Sequence, residues 1–223
     1  MKLEFSYSLE KDVENFKVTS QSINNKQPTK LHALYISKYC EVFEDQKIER
    51  FITDYIKQNR IDMSLETERI QSNWRSIEQD FLKRSSSLFH LTDTDGVIHV
   101  YLTMNGRCSY NTEQRYFFVS VSRRQIPTIM HELFHFWTWE AFREEVENGR
   151  MTQDVYNDVK ESLTELLNIE FSDLLNGEHD DGYPQHKEIR LVVAKTWNET
   201  RDIHKTFEAA VKSCLVDTVD SQL

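Results

Sequence analysis

One segment of this 223-residue chain, 126–137, carries apolar side chains on nearly every side of a helix. A helix of that kind is stable only where other parts of the chain surround it. Hydrophobic residues make up 39% of the sequence and aromatic residues 12%, which is enough to build such a core. The chain must therefore fold around this segment, whose apolar members are Ile126, Ile129, Met130, Leu133, Phe134, Phe136 and Trp137.

The wider pattern predicts an α+β fold in which a small upstream β-sheet packs on a mostly α-helical body. Glycine (5) and proline (3) are scarce, which favours long helices over a loop-rich all-β fold. Three segments rich in β-branched or aromatic residues alternate as strands do, at 2–8, 96–104 and 115–122. Asn105 and Gly106 indicate a turn between the second and the third of these strands.

The helical spacing of apolar residues predicts six helices, and Gly149 is expected to end the third of them. Pro127 suits the first turn of that third helix, because its missing N–H is not needed there. Polar residues and Pro28 predict a loop at 20–30. The predicted helices span 41–58, 64–84, 126–147, 152–174, 184–197 and 200–217.

Charge and cysteine content narrow the classes of partner and compartment. A net charge of −10 disfavours nucleic acid and anionic membranes as partners. The N-terminal residues include acids and lack an apolar stretch, so we expect no secretory signal and no membrane span. Cys40, Cys108 and Cys214 are widely separated and show neither metal-ligand pairing nor a disulfide framework. These features predict a cytoplasmic protein and leave its oligomeric state open.

The buried segment also contains the letters HELFH at 131–135. In a helix, His131 and His135 lie one turn apart on one face, so both imidazoles can bind one metal ion. Glu132 points roughly 100° away from His131 and could take a proton from a water bound to that metal. The alternative is a pair of packed core histidines, each with its own hydrogen-bond partner. A carboxylate from a second element would favour the metal site.

The next predicted helix can supply that carboxylate. A third histidine ligand in the pattern HExxHxxGxxH is excluded, because Thr138 stands where the pattern has glycine and Ala141 where it has the third histidine. Glu161 and Glu165 lie four residues apart on one face of the predicted helix 152–174. Two acids one turn apart fit one metal ligand and one acceptor that orients a ligating imidazole.

Together, HELFH and the letters KESLTEL at 160–166 resemble the gluzincin metallopeptidases, the thermolysin-like clan with HExxH and NExxxD-type helices. The resemblance covers the predicted helices 126–147 and 152–168 and the strands before them, about a third of the chain. It implies one Zn²⁺ per chain. The implied roles are metal ligand for His131, His135 and Glu161, general base for Glu132, and an outer carboxylate that holds one histidine for Glu165.

The chain departs from the family pattern at two positions: Lys160 stands where asparagine is usual, and Glu165 where aspartate is common. The family also usually adds a tyrosine or histidine that donates a hydrogen bond to the oxyanion. Tyr183 is the first candidate for that role and His186 the second, both within the letters NGEHDDGYPQH at 176–186. Loop aromatics and histidines also often pack or face solvent without a catalytic role.

The resemblance implies a zinc-dependent peptidase that acts on a peptide or protein. Residues 91–223 would form its catalytic region, and residues 1–90 would line the cleft, bind a partner or keep the enzyme latent. The alternative is that both regions form one compact unit. A strand at 97–107 or 115–122 would border the cleft and pair with an extended substrate. Two alternatives stay open: a weakly active or inactive zinc-binding interaction or regulatory protein, and a zinc hydrolase acting on another amide.

Overall fold

The structure is a computed structural model that describes residues 1–21, 27–91, 96–122 and 124–220. The chain divides into two compact units. The first comprises Met1–Glu78 and Thr94–Thr128, and the second comprises Gln79–Asp93 and Ile129–Leu223. A small mixed sheet together with predominant helix confirms the predicted α+β class. The predicted loop at 20–30 lies partly outside the described residues.

The sheet belongs to the first unit, and three of its four described strands lie where the sequence predicts them, whereas the short β3 was not predicted. Strands β1 (Lys2–Ser6), β2 (Val97–Thr103) and β4 (Tyr116–Ser120) are parallel, and β3 (Tyr110–Asn111) pairs antiparallel with β4. The order across the sheet is β1-β2-β4-β3. Neither strand predicted to border the cleft is an edge strand, because β2 lies between β1 and β4, and β4 lies between β2 and the two-residue β3.

The turn predicted at Asn105 and Gly106 does not form a hairpin, because β2 and β4 run parallel. Asn105 is fully buried, and its side-chain amide donates to Thr19 Oγ1 at 2.8 Å. The loop after β2 is thereby tied to the helix that contains Thr19, whereas a hairpin tip would face solvent. The chain returns to the sheet through β3 instead.

Four helices of the first unit are α1 (Leu9–Ser20), α2 (Lys30–Tyr39), α3 (Asp45–Gln58) and α4 (Met63–Arg75). The sequence analysis missed α1 and α2, whose N-termini are capped by the side-chain oxygens of Ser8 and Thr29. The inward face of α1 includes Asp12 and Asn15 beside Phe16, so its apolar periodicity is weak. The predicted helix 64–84 is divided, since α4 ends at Arg75.

A buried polar network joins α1 to the end of β2. The Thr103 hydroxyl donates to Asp12 Oδ1 at 2.6 Å, and the backbone N–H of Met104 donates to the same carboxylate at 3.2 Å. Burial raises the pKa of Asp12 to about 6, although these two hydrogen bonds act to lower it.

Helices dominate the second unit. They are α5 (Glu78–Leu88), which begins at the last residue of the first unit, α6 (Gln125–Glu147), whose first four residues belong to the first unit, α7 (Gln153–Leu163), α8 (Glu165–Glu170), α9 (Lys187–Thr200) and α10 (Ile203–Asp220). A 3-10 turn at Pro184–His186 leads into α9. Gly149 has a φ of +67° just beyond α6, as expected of a residue that ends a helix. The predicted helix 152–174 is divided at Thr164.

Helix α6 is buried, as its apolar composition predicts. Phe134 is fully buried and contacts the rings of Phe89 and Phe171, with centroid distances of 4.9 Å and 6.2 Å. Near the C-terminal end of α6, Phe142 stacks on Phe207 of α10 at 3.8 Å. No helix within the described residues combines the length and apolar character needed to cross a membrane.

Candidate metal centre

His131 and His135 lie in the buried part of α6, one helical turn apart. Their ring centroids are 4.5 Å apart and the ring planes cross at 78°. His135 is 1% exposed, and His131 is partly buried. The apolar residues that hold α6 in the interior therefore also fix both imidazoles, since these side chains project from the same rigid helix.

Helix α7 brings Glu161 to the two imidazoles, as the sequence predicts. Glu161 Oε2 lies 3.4 Å from His131 Nε2, and Glu161 Oε1 lies 3.4 Å from His135 Nε2. One possible ligand atom from each of the three side chains lies within 4.8 Å of the other two. Glu161 Oε2 is buried and makes no hydrogen bond with any described residue. The three residues converge, and their role as metal ligands stays a prediction.

The spacing of these atoms fits a metal ion better than it fits hydrogen bonds. Charge-assisted N–H···O⁻ bonds are about 2.7–2.9 Å long, shorter than either 3.4 Å separation. Ligands at the ~2.0–2.1 Å typical of zinc, placed at the corners of a tetrahedron, are about 3.3–3.4 Å apart. Two histidines and one glutamate are also a donor set of catalytic zinc sites, which leave the fourth position to water or substrate. The residues present therefore fit zinc.

Asp180, which the sequence analysis did not select, holds the imidazole of His131. His131 Nδ1 and Asp180 Oδ1 are 2.8 Å apart. A proton on Nδ1 leaves the lone pair of Nε2 available on the side of Glu161, where a metal would bind. Asn168 fixes Asp180 by accepting from its backbone N–H at 2.8 Å and donating to its carbonyl at 3.0 Å.

Glu165 was predicted to hold a histidine, and the structure assigns that contact to Asp180 instead. Glu165 Oε2 pairs with Arg190 at 2.7 Å. The physical reason is the break at Thr164 between α7 and α8, because Glu161 and Glu165 no longer share the face of one continuous helix. Thr164 Oγ1 donates back to the carbonyl of Glu161 at 2.8 Å, a local bond that competes with helix continuation.

Arg190 of α9 connects these outer contacts. Its side chain is almost fully buried, and Nη1 lies 2.7 Å from Thr164 Oγ1 and 3.1 Å from Asp180 Oδ2. Arg190 also donates to the backbone carbonyl of Asp180 and pairs with Glu165. A buried charge is tolerated when it is paired and hydrogen-bonded, as this guanidinium is. It therefore supports Asp180, which in turn holds His131.

Glu132 has the environment expected of a general base. It is 8% exposed, and its Oε2 has no hydrogen-bond partner among the described residues. Burial raises the pKa of Glu132 to about 7, although the neighbouring His131 acts to lower it. A carboxyl group with a pKa near neutrality can both accept and return a proton. The catalytic role of Glu132 stays a prediction.

The environment shifts the pKa values of the two imidazoles in opposite directions. Burial lowers the pKa of His135 to about 3, against the opposing influence of Glu161. Burial also acts to lower the pKa of His131, but the hydrogen bond with Asp180 and the nearby carboxylate of Glu161 raise it to about 10. Burial acts to raise the pKa values of Glu161 and Asp180, yet the nearby imidazoles outweigh it and lower both. A proton on His131 therefore competes with a metal ion.

The two predicted oxyanion donors lie at the turn that leads into α9. His186 is buried, and its Nε2 lies 3.0 Å from Asp158 Oδ1. Tyr183 is 39% exposed, and its ring meets the ring of His186 edge-on at 5.8 Å. Asp158 precedes Glu161 by one turn of α7, so His186 contacts the helix that carries a predicted ligand. The contacts of His186 with Asp158 and Tyr183 do not involve the three predicted ligands, and the oxyanion role stays a prediction.

Comparisons with protein-family models, with curated proteins and with solved structures found no match to this chain. The function of this chain therefore has to be inferred from the geometry of the chain's own residues, and the gluzincin resemblance remains a resemblance.

Proposed function

We propose that the chain is a zinc-dependent peptidase of gluzincin type that hydrolyses peptide bonds in a peptide or protein substrate. The observation that carries the proposal is the convergence of His131, His135 and Glu161, in which each imidazole lies 3.4 Å from one oxygen of Glu161, next to the buried carboxyl group of Glu132. Packed core histidines would instead hydrogen-bond at shorter distances.

In this proposal, His131, His135 and Glu161 hold one Zn²⁺ per chain, and Asp180 orients His131. When bound, Zn²⁺ supplies a Lewis acid for the scissile carbonyl and lowers the pKa of a water molecule in the open position. Glu132 accepts a proton from the attacking water and passes it to the leaving amine. The burial of Glu132 supports this role, because its pKa of about 7 suits both steps.

The proposal also includes an oxyanion donor and a cellular compartment. Tyr183 or His186 would donate a hydrogen bond to the oxyanion, and Asp158 would hold His186 in place. The protein would act in the cytoplasm, which is supported by the absence of any disulfide among its three cysteines, all of which lie within the described residues.

The test compares the wild type with Glu132→Ala, and uses Glu144→Ala as a control because Glu144 is an exposed acid on the same helix. Metal analysis should find about one zinc per chain in all three proteins, since neither glutamate is a ligand. Incubation with a peptide library, read by mass spectrometry, should show cleavage by the wild type and by Glu144→Ala alone.

Each alternative gives a different result in the same experiment. Zinc without any cleavage by the wild type would favour an interaction or regulatory protein. Zinc with hydrolysis only of non-peptide amides would favour a different hydrolase. A wild type that retains no zinc after incubation with excess zinc would contradict the proposal, because the predicted ligands would then not bind the metal.

A further inference from the structure

Lys160 is a buried lysine beside the predicted metal ligands. Its side chain is 5% exposed, and Nζ lies 3.2 Å from Oε1 of Glu161. Lysine is almost never fully buried unless it is paired, because a charge loses its hydration in the interior. Lys160 also stands where the resembling family usually has an uncharged asparagine. The position therefore calls for a physical explanation of its own.

The two oxygens of Glu161 differ in their surroundings because of Lys160. Each oxygen lies 3.4 Å from one imidazole, so the distances to the imidazoles do not distinguish the two oxygens. The ammonium group of Lys160 lies 3.2 Å from Oε1, while Oε2 makes no hydrogen bond with any described residue. A carboxylate can bind a metal through one oxygen or through both, and an ammonium at Oε1 competes with a metal for that oxygen.

We propose that Lys160 is a positioning residue that keeps Glu161 a one-oxygen ligand, through Oε2, and so preserves an open fourth position on the metal. A second bond from Oε1 would instead raise the coordination number and occupy the space that water needs. The inference rests on the metal-binding part of the proposed function, and it requires neither peptide hydrolysis nor any change in the protonation of Lys160.

The experiment uses the full chain loaded with Co²⁺ in place of Zn²⁺, because the visible absorption of Co²⁺ is intense in a tetrahedral site and weak at higher coordination. Lys160→Met removes the ammonium and keeps a side chain of similar length. Lys187→Met is the matched control, because Lys187 is exposed in the same unit. We expect weaker visible absorption and slower loss of Co²⁺ to a chelator in Lys160→Met, and no change in Lys187→Met.

A second measurement needs no variant and decides the case even where Lys160→Met does not fold. X-ray absorption of the zinc-loaded wild type should show four ligand atoms with a single oxygen from a carboxylate. A carboxylate bound through both oxygens in the wild type would overturn the inference. An unchanged Co²⁺ spectrum in folded Lys160→Met would also overturn it.

These results separate the inference from the proposed function. Metal bound with the expected spectral change but without peptide cleavage would leave the inference standing and refute the peptidase. Peptide cleavage by the wild type, with an unchanged Co²⁺ spectrum in Lys160→Met, would refute the inference and leave the peptidase standing. A wild type that binds neither Co²⁺ nor Zn²⁺ would refute both.

Discussion

Gly182 offers a test of whether the outer contacts of the candidate metal centre matter, because a side chain at this position would meet Arg190, which is not one of the predicted ligands. It has a φ of +62°, and a methyl group at its α-carbon would lie 2.6 Å from Nη1 and 2.8 Å from Cζ of Arg190. Contacts of a Cβ atom are ordinary from 3.4 Å. Gly182→Ala therefore requires the guanidinium of Arg190 to move by about 0.8 Å, the difference between 3.4 Å and 2.6 Å.

Arg190 cannot make that movement without losing contacts. The buried guanidinium is held by Thr164, Glu165 and Asp180 at 2.7–3.1 Å. Losing one hydrogen bond to a charged group costs about 1.5–3 kcal/mol, and placing alanine at positive φ costs a further ~1–2 kcal/mol. We therefore expect Gly182→Ala to lower the free energy of unfolding by about 3–5 kcal/mol. Because Asp180 also holds His131, zinc affinity should fall by roughly 10–100-fold.

Gly177→Ala is the matched control. Gly177 has a φ of +81° and no heavy atom within 4 Å of the added methyl position, so it carries the backbone cost without the collision. Zinc affinity is measured by chelator competition, and the stability of the metal-free proteins by denaturant unfolding. Gly177→Ala should lose only ~1–2 kcal/mol and should bind zinc as the wild type does. Equal zinc affinities of the two variants would refute the chain of contacts from Arg190 to His131.

Two further predictions follow from the structure. Asp180→Ala should lower zinc affinity roughly 10–100-fold. This loss should exceed that of Glu165→Ala, because Glu165 reaches the histidine only through Arg190 and Asp180. Zinc affinity is measured by chelator competition, and equal losses in the two variants would contradict this order. Asp12 has a folded-state pKa of about 6 against an ordinary value of 3.8, so its contribution to stability is fully present below about pH 4 and is lost as the pH rises through 6. That loss is roughly 3 kcal/mol. Denaturant titrations from pH 3.5 to 7 should show it in the wild type and not in Asp12→Asn. Parallel pH profiles of stability in the two proteins would contradict this prediction.

The parts of the fold that the sequence predicts are those with strong local signals. Helix α6 is apolar on nearly all sides, and its end is marked by Gly149, so both its burial and its C-terminus follow from short stretches of sequence. Helix α1 gives no such signal, because Asp12 and Asn15 on its inward face satisfy polar groups of the loop after β2. The parallel pairing of β2 and β4 is equally hidden, since the loop after β2 makes long-range contacts, such as the hydrogen bond from Asn105 to Thr19, that local turn chemistry does not reveal.

The candidate site divides in the same way. His131 and His135 are related by one helical turn, and Glu161 comes from the next helix, so a periodic pattern is sufficient to find all three. Asp180 lies outside any helix or strand, and its position depends on Asn168 of α8. No spacing rule connects Asp180 to His131, because the chain between them includes two helices and their connections.

The charges around the centre are compatible with a divalent cation that takes the place of bound protons. With neutral imidazoles, the four carboxylates exceed the two cationic side chains by two negative charges. Coulomb interactions are strong in a poorly solvated interior, so an excess of two charges is costly unless something balances it. In the metal-free chain, the raised pKa values of His131 and Glu132 favour bound protons that reduce this excess, and one divalent ion would balance it in their place. The buried positions of Lys160 and Arg190 show how far the chain itself has already compensated the acids. The carboxylates are those of Glu132, Glu161, Glu165 and Asp180, and the cationic side chains are those of Lys160 and Arg190.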